Sequence, residues 1–176
     1  MNKKLFLIPV TIFLLVLITF FYLLLIERNP SELPSNLLEK KVPKFETDTL
    51  LNRKKFISAN EFGKEVVLVN FFATWCKPCL DEHNYIKRFS KDKKIRVIGI
   101  NYKDNPKKAL QWLEKLGNPY THIPVDKKGT IAIDWGVYGI PETFIVNSKG
   151  IIKYRHVGPV TEKIYKKINL IVEKIE

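Results

Sequence analysis

Both cysteines of the 176-residue chain lie in one pentapeptide, Trp75-Cys76-Lys77-Pro78-Cys79. An apolar run over residues 66–72 leads directly into it, which predicts a buried strand that delivers two thiols to the start of a helix. Unpaired backbone N–H groups and the helix dipole stabilise a thiolate at that position. Pro78 suits the first helical turn, where a proline loses no hydrogen bond. The pattern predicts Cys76 as the exposed attacking sulfur and Cys79 as the sheltered resolving sulfur.

Two other uses of the cysteine pair fit the sequence less well. A structural disulfide would close so short a loop that it removes little entropy from the unfolded chain. A zinc site needs about four ligands. The chain has no second cysteine pair, and His83, His122 and His156 lack a metal-binding spacing. The motif and its strand–helix context therefore favour a redox-active disulfide between Cys76 and Cys79, with no metal and no organic cofactor.

An apolar segment near the N-terminus is the second informative feature. Residues Leu5 to Ile26 carry no charge and are long enough to cross a hydrocarbon layer of about 30 Å. Lys3 and Lys4 precede the segment, which favours a cytoplasmic N-terminus and a folded domain beyond the membrane. A cleaved signal peptide is the alternative, but its apolar core would be shorter and a small-residue cleavage site would follow. We predict an uncleaved anchor over 1–26, a linker over 27–41 and a folded domain over 42–176.

Compartment and charge limit the partners that the chain can have. A dithiol outside the inner membrane faces an oxidising space, so a reductase there needs a dedicated electron donor. The net charge is +12. The lysines are scattered and form no basic helix or aromatic-interleaved stripe, so the sequence predicts no nucleic-acid partner. Attraction of the basic surface to anionic inner-membrane lipid stays open.

Strands and helices alternate in the remaining pattern. Apolar runs and turn signals predict strands over 65–72, 95–101, 143–146 and 151–155. Helices are predicted over 78–90, 106–116, 130–135 and 161–175. The segment from Phe45 to Ile57 is expected to be irregular or to hold short strands. This order predicts an α/β fold in which a mixed central sheet is flanked by helices on both faces.

A second motif lies before a predicted strand, where Ile140-Pro141-Glu142-Thr143 follows Gly139. Together with WCxxC it resembles the two landmarks of the thioredoxin superfamily, in which the proline is cis and its loop pairs with a cysteine-containing peptide. The longer stretch GVYGIPETF, residues 136–144, resembles the CcmG/DsbE thiol:disulfide interchange proteins. Shorter segments that also resemble this family are NYKD at 101–104, LGNPY at 116–120 and YRH at 154–156. The resemblance extends from about Val42 to the C-terminus.

The resemblance implies a thioredoxin-like fold and a periplasmic, membrane-anchored protein-disulfide reductase of c-type cytochrome maturation. Its clients would be the haem-site cysteines of apocytochrome c, or a maturation protein disulfide-bonded to them. A membrane electron donor of the DsbD/CcdA type would reduce it again. The alternatives are a reductase for another client, such as an oxidase copper site, a copper-binding chaperone, and an apocytochrome holdase.

The resemblance also points to a proton acceptor. Asn70 stands six residues before Cys76, where thioredoxins carry a buried aspartate that assists proton transfer. An amide does not exchange a proton near neutral pH. We therefore predict that Glu82, three residues after Cys79 and on the same helical face, takes the proton of Cys79. Glu142 is expected on the rim of the dithiol and is the second candidate.

Four residues are predicted to form a client-binding surface. Trp75 precedes the dithiol, and Tyr138, Ile140 and Pro141 lie in the loop before the strand. For Trp75, packing in the core is the alternative. His83 follows Cys79 by four residues and is expected to be a surface histidine.

Overall fold

The computed structural model describes residues 3–25, 37–51, 55–91 and 95–175. The N-terminal helix and the remainder of the chain are two units, and each is described by itself. Residues 27–36, which make up most of the predicted linker, lie outside the described residues. The division into anchor, linker and domain therefore stays a prediction.

Helix α1 spans Lys3–Leu25 and covers most of the predicted apolar segment. Within the described ranges it is the one helix that is long and apolar enough to cross a membrane. From Ile8 onward its side chains are not buried by the rest of the protein. The helix is therefore a membrane-span candidate by length and composition.

The second unit contains seven described strands and five described helices. The strands are β1 Glu46–Asp48, β2 Lys55–Ile57, β3 Val67–Phe72, β4 Arg96–Tyr102, β5 Val125–Asp126, β6 Glu142–Val146 and β7 Ile152–Val157. The helices are α2 Ser58–Glu61, α3 Lys77–Phe89, α4 Pro106–Leu116, α5 Thr130–Asp134 and α6 Glu162–Ile175. All eight strands and helices predicted in this unit are present. The sequence patterns missed α2 and β5, which are too short to show a period.

Five strands form a mixed sheet in the order β5-β4-β3-β6-β7. The pairs β3–β4 and β4–β5 are parallel, whereas β3–β6 and β6–β7 are antiparallel. The strands β1 and β2 form a separate antiparallel pair. The predicted α/β class with a mixed central sheet is confirmed.

The central strand β3 is buried on both faces, which explains its unbroken apolar sequence. Leu68 and Phe72 point to the face covered by α3, α4 and α6, and both cysteines belong to this core cluster. Val69 and Phe71 point to the opposite face, where they pack with Trp135 and the residues around α2 and α5. Helices thus cover both faces of the sheet.

The segment before β1 pairs with the hairpin end of β7. The Glu39 N–H donates to the Ile152 carbonyl at 2.9 Å, and the Ile152 N–H donates to the Lys40 carbonyl at 2.9 Å. The Val42 N–H donates to the Gly150 carbonyl at 3.0 Å. Ordered backbone pairing therefore begins before Val42, where the domain was predicted to start.

The sheet order brings the two sequence motifs together. Because β3 and β6 are antiparallel neighbours, with Phe71 opposite Glu142, the end of one strand lies beside the start of the other. The dithiol follows the end of β3, and Pro141 precedes the start of β6. Residues about 65 positions apart in the sequence thus form one site at one end of these two inner strands.

Candidate active site

Cys76 and Cys79 form a disulfide at the N-terminus of α3, with an S–S distance of 2.07 Å. Cys76 is the residue that caps the helix, and its Sγ accepts a hydrogen bond from the Cys79 N–H at 3.2 Å. The helix start therefore presents a backbone donor to the sulfur that was predicted to attack. Cys76 is 6% exposed and Cys79 is 2% exposed, so both residues are buried in this oxidised state, whereas Cys76 was predicted to be exposed. The Ile140 loop lies against the Cys76 sulfur, which explains the difference.

The loop before β6 lies directly against the disulfide. The Ile140–Pro141 peptide bond is cis, as predicted. The carbonyl oxygen of Ile140 lies 3.7 Å from the Cys76 Sγ. The Pro141 carbonyl accepts a hydrogen bond from the Gly158 N–H at 2.9 Å, which ties the loop to the end of β7. The two motifs recognised in the sequence are therefore in contact.

Glu142 lies in the interior and not on the rim, where the sequence had placed it. Its side chain is fully buried, and its Oε1 accepts from the Tyr138 N–H at 2.7 Å and the Gly139 N–H at 3.3 Å. Its Oε2 accepts from the Arg155 Nε at 2.8 Å. The strand register explains this contact. Arg155 of β7 lies opposite Phe144 of β6, and Glu142 lies on the same face of β6 as Phe144, two residues earlier. Glu142 therefore stabilises the loop before β6 from the protein interior, through the hydrogen bonds that it accepts from Tyr138 and Gly139.

Glu82 lies on the buried face of α3, one turn after Cys79. Its Oε1 accepts from the Asn70 Nδ2 at 2.7 Å, and its Oε2 accepts from the Val160 N–H at 2.8 Å. Asn70 belongs to β3 and also donates to the Thr143 Oγ1 at 3.2 Å. The structure thus joins Glu82 to the residue that occupies the aspartate position of thioredoxins.

Burial dominates the electrostatics of Glu82. Removal from water raises the pKa of the Glu82 carboxyl to about 8, although the hydrogen bonds from Val160 and Asn70 oppose the change. Burial also raises the pKa of Glu142, opposed by the Tyr138 N–H and by Arg155. A carboxyl that titrates near neutral pH can both take up and release a proton under working conditions. Glu82 has this property, and it lies in the same helix as the dithiol.

His83 is not the surface histidine that the sequence suggested. It is 3% exposed, and its Nε2 lies 2.9 Å from the Gly117 carbonyl oxygen. Its ring packs edge-on against Trp112 at 4.5 Å because α4 covers this part of α3. Burial lowers the pKa of His83. Within the described ranges, no three His, Cys, Asp or Glu side chains are grouped to hold a metal ion.

Two large aromatic side chains are exposed at the motifs. Trp75 is 58% exposed, which rules out the core position considered for it, and its Nε1 donates to the Lys103 carbonyl at 3.1 Å. Tyr138 is 66% exposed, and the Arg155 guanidinium lies 4.5 Å from its ring centroid. Both rings are held in place while presenting apolar surface to solvent.

Asp104 organises the approach to the dithiol, and the sequence reasoning did not single it out. Its carboxylate accepts hydrogen bonds from the Thr74 N–H at 2.7 Å, the Thr74 Oγ1 at 2.8 Å and the Asn101 Nδ2 at 3.0 Å. It also caps its own loop through the Asn105 N–H at 2.8 Å. The sequence did contain a clue to this role, because Asp104 directly precedes Asn105-Pro106, a pair typical of a helix start.

Comparison with known proteins supports a family assignment. Residues 38–169 match the Redoxin family model. The thiol:disulfide interchange protein DsbE of Vibrio cholerae serotype O1 is 42% identical over 166 residues, covering 93% of this chain and 90% of that protein. The protein of the same name from Escherichia coli strain K12 is 42% identical over 171 residues, covering 94% of this chain and 91% of the relative.

Solved structures support the fold. The crystal structure of a putative thiol:disulfide interchange protein DsbE from Chlorobium tepidum has a TM-score of 0.66 at 22% identity, covering 77% of this chain and 96% of that chain. A DsbF homologue from Corynebacterium diphtheriae has a TM-score of 0.67 at 19% identity, covering 83% and 96%. The fold is thioredoxin-like. With the disulfide at the helix start and the relatives that share two fifths of its sequence, the chain belongs to the DsbE family of thiol:disulfide interchange proteins and is a thiol:disulfide oxidoreductase.

Proposed function

We propose that this protein is a membrane-anchored reductase of c-type cytochrome maturation. The observation that carries the proposal is the position of the Cys76 Sγ, which lies between the Cys79 N–H at 3.2 Å and the Ile140 carbonyl at 3.7 Å. One neighbour stabilises a thiolate, and the other belongs to a loop that can pair with an extended client peptide. The cytochrome role is supported by the resemblance of GVYGIPETF to the CcmG/DsbE proteins.

The first half of the reaction begins with the reduced protein. The Cys76 thiolate attacks one sulfur of the client disulfide, and a mixed disulfide forms as the client S–S bond breaks. The first client sulfur leaves as a thiolate and takes a proton from solvent. During this step, Trp75 and Tyr138 contact the client, while the backbone around Ile140 and Pro141 pairs with it.

The second half releases the client. Cys79 loses its proton to the Glu82 carboxylate and attacks the Cys76 Sγ, so the mixed disulfide breaks and the second client thiolate leaves. The second client thiolate takes a proton from solvent, and Glu82 releases the proton of Cys79 to solvent, so the client has then gained two electrons and two protons. The protein holds the Cys76–Cys79 disulfide, the oxidised state described above.

We assign the proton transfer to Glu82 and a supporting role to Glu142. Both oxygens of Glu142 are already occupied by Arg155 and by two N–H groups of the loop. Glu82 follows Cys79 by one helical turn and shares its buried helix face. The second candidate therefore shapes the client-binding loop and does not exchange a proton with Cys79.

The proposed location follows from α1 and from the chemistry of the dithiol. The apolar helix is an uncleaved anchor in the bacterial inner membrane, with the N-terminus in the cytoplasm and the α/β domain in the periplasm. A dithiol in that oxidising space is reduced again by a membrane electron donor of the DsbD/CcdA type. The net charge of +12 favours contact with anionic inner-membrane lipid.

A trapping experiment tests the proposal. The Cys79→Ala variant retains the attacking sulfur and loses the resolving one, so it should hold its client as a mixed disulfide through Cys76. Mass spectrometry of the trapped complex should identify an apocytochrome c haem-site peptide or a cytochrome-maturation protein. The Cys76→Ala, Cys79→Ala double variant is the matched control and should trap nothing.

Other outcomes of the same experiment discriminate between the alternatives. A trapped oxidase copper-site subunit would replace the cytochrome client with a copper-site client. No mixed disulfide, together with stoichiometric copper retained after dialysis, would favour the chaperone. A client that stays bound equally well in the double variant would indicate a holdase.

A further inference from the structure

Tyr120 is buried beside the network that contains Glu82. It is 5% exposed, and its hydroxyl donates to the Asn70 Oδ1 at 2.8 Å. Its ring stacks on Phe72 with 4.8 Å between centroids. Asn118 holds its backbone, because the Asn118 Oδ1 accepts from the Tyr120 N–H at 2.9 Å. Tyr120 is therefore held by the packing of its ring, by the hydrogen bond of its hydroxyl and by the hydrogen bond of its backbone N–H.

The sheet is shaped to admit this phenol. Gly99 of β4 is the register partner of Asn70 of β3. A Cβ at Gly99 would lie 2.7 Å from three ring atoms of Tyr120, which is too close for any side chain. The glycine therefore leaves the space through which Tyr120 reaches Asn70, and the contact requires this close approach.

The hydroxyl decides which end of the Asn70 amide faces Glu82. Because Oδ1 accepts from Tyr120, Nδ2 points to the Glu82 Oε1 at 2.7 Å and to the Thr143 Oγ1 at 3.2 Å. If the amide turned over, its oxygen would face a carboxylate oxygen at that distance, and two acceptors repel unless the carboxyl is protonated. Burial and the charge of Glu82 raise the pKa of Tyr120 well above its ordinary value, so the hydroxyl stays protonated and able to donate.

We propose that the Tyr120 hydroxyl is a positioning group that stabilises the ionised, proton-accepting form of Glu82 through the Asn70 amide. The two hydrogen bonds run in one direction, from the phenol to Asn70 and from Asn70 to the carboxylate. Each donor polarises the next, and a bond that ends on a charge is the stronger kind. The catalytic meaning of this inference rests on the proposed role of Glu82.

Three other buried titratable groups, on α3, β6 and β7, have partners of their own. His83 binds the Gly117 carbonyl, and His156 on β7 lies 3.2 Å from the Pro159 carbonyl oxygen. Glu142 on β6 is paired with Arg155 on β7. Cys76, which caps α3, and Cys79 in its first turn do not titrate while they form the disulfide. Tyr120 is the phenol that is electrostatically coupled to Glu82.

The Tyr120→Phe variant of the full chain tests the proposal. The glutamate side-chain carboxyls are labelled with carbon-13, and the protein is titrated by NMR in detergent micelles. The oxidised protein is used because its cysteines form a disulfide and do not titrate. Loss of the outer donor should raise the Glu82 midpoint by about half a pH unit or more. The matched control is Tyr85→Phe, which removes a phenol from α3 on the side of Tyr165 and should leave the midpoint unchanged.

An unchanged or lowered Glu82 midpoint in Tyr120→Phe would overturn the proposal. If this variant does not fold, 3-fluorotyrosine placed at position 120 keeps the hydroxyl, makes it a stronger donor, and should lower the midpoint. No shift in that protein would overturn the proposal equally. A separate experiment tests the proposed role of Glu82 in catalysis. An unchanged thiol–disulfide exchange rate in Glu82→Gln would contradict that role, but it would not affect the titration result for Tyr120→Phe.

Discussion

Glu82 is a carboxyl that lies inside the protein beside an amide where thioredoxins have an acid. It accepts hydrogen bonds from Asn70 and from the Val160 N–H, and burial still raises its pKa to about 8. The protein therefore carries a group that is costly to ionise in its folded state. A buried carboxyl with a strongly raised pKa in the same helix as a dithiol is a candidate for proton transfer, which supports the role proposed for it.

The stability of a Glu82→Gln variant should show this cost as a function of pH. The unfolded chain ionises Glu82 near its ordinary pKa of 4.5, whereas the folded chain does so near 8. The folded state therefore binds more protons in this window, and the wild-type free energy of unfolding falls as the pH rises through it. The variant is neutral throughout, so its stability relative to wild type should rise by roughly 1.4 kcal/mol per pH unit at most.

Urea unfolding of the oxidised protein at several pH values between 5 and 8 measures this difference. Glu114→Gln, an exposed substitution on α4, is the matched control and should follow the wild-type curve. Curves for Glu82→Gln and wild type that run parallel over this range would show that Glu82 titrates normally in the folded state.

The start of α3 is held by contacts from outside the helix. The residues before the dithiol are joined to the loop after β4, because the Asp104 carboxylate binds both the N–H and the hydroxyl of Thr74. The neighbouring Trp75 Nε1 donates to the Lys103 carbonyl in the same loop. These bonds fix the turn that aims the first cysteine at the Ile140 loop, so the position of the dithiol depends on two segments.

Substitution of Asp104 by alanine should therefore loosen the turn that precedes α3. The loss of a charged acceptor that binds several donors should reduce the free energy of unfolding by about 2–3 kcal/mol. Denaturant unfolding of the oxidised protein measures the loss. Asp104→Asn keeps one acceptor oxygen and should lose less, and equal stability of Asp104→Ala and wild type would contradict the assignment.

The chain combines an apolar helix with an α/β domain, and the two differ in what surrounds their side chains. The described residues of α1 from Ile8 to Leu25 are apolar and unburied, whereas the domain buries both faces of its sheet. An uncovered apolar helix of this length finds a favourable environment in lipid. The whole chain is therefore expected to behave as a single-span membrane protein.

Because we propose that α1 is inserted in the membrane, we expect alkaline carbonate washing of membranes to leave the chain in the pellet. Intact-mass measurement should show that the apolar segment is retained. A matched variant with Leu14→Arg and Leu15→Arg places two charges in the middle of the helix, each unfavourable by about 3 kcal/mol, and should be released by the wash. A mature chain that lacks the first 26 residues would identify α1 as a cleaved signal.

Local patterns were enough to predict most of the architecture and part of the site. The apolar run of β3, the cysteines at the start of α3 and the proline before β6 each reflect a preference of a few neighbouring residues. Such preferences act wherever the segment lies in the fold. The helix from Pro106 to Leu116 was predicted on this basis, and the structure has it. The cis bond at Pro141 is also present, but it was predicted from the resemblance to the thioredoxin superfamily and not from a local preference.

Burial of polar side chains could not be predicted in the same way, because it depends on which distant segments pack together. His83 is covered by Trp112 of α4, Glu142 turns inward to Arg155 of β7, and Tyr120 reaches Asn70 from a position 50 residues away. No periodic pattern in the sequence predicts these contacts between distant segments. The chain alone indicates a dithiol on a helix, and the packing of the folded protein sets which carboxyl can exchange a proton beside it.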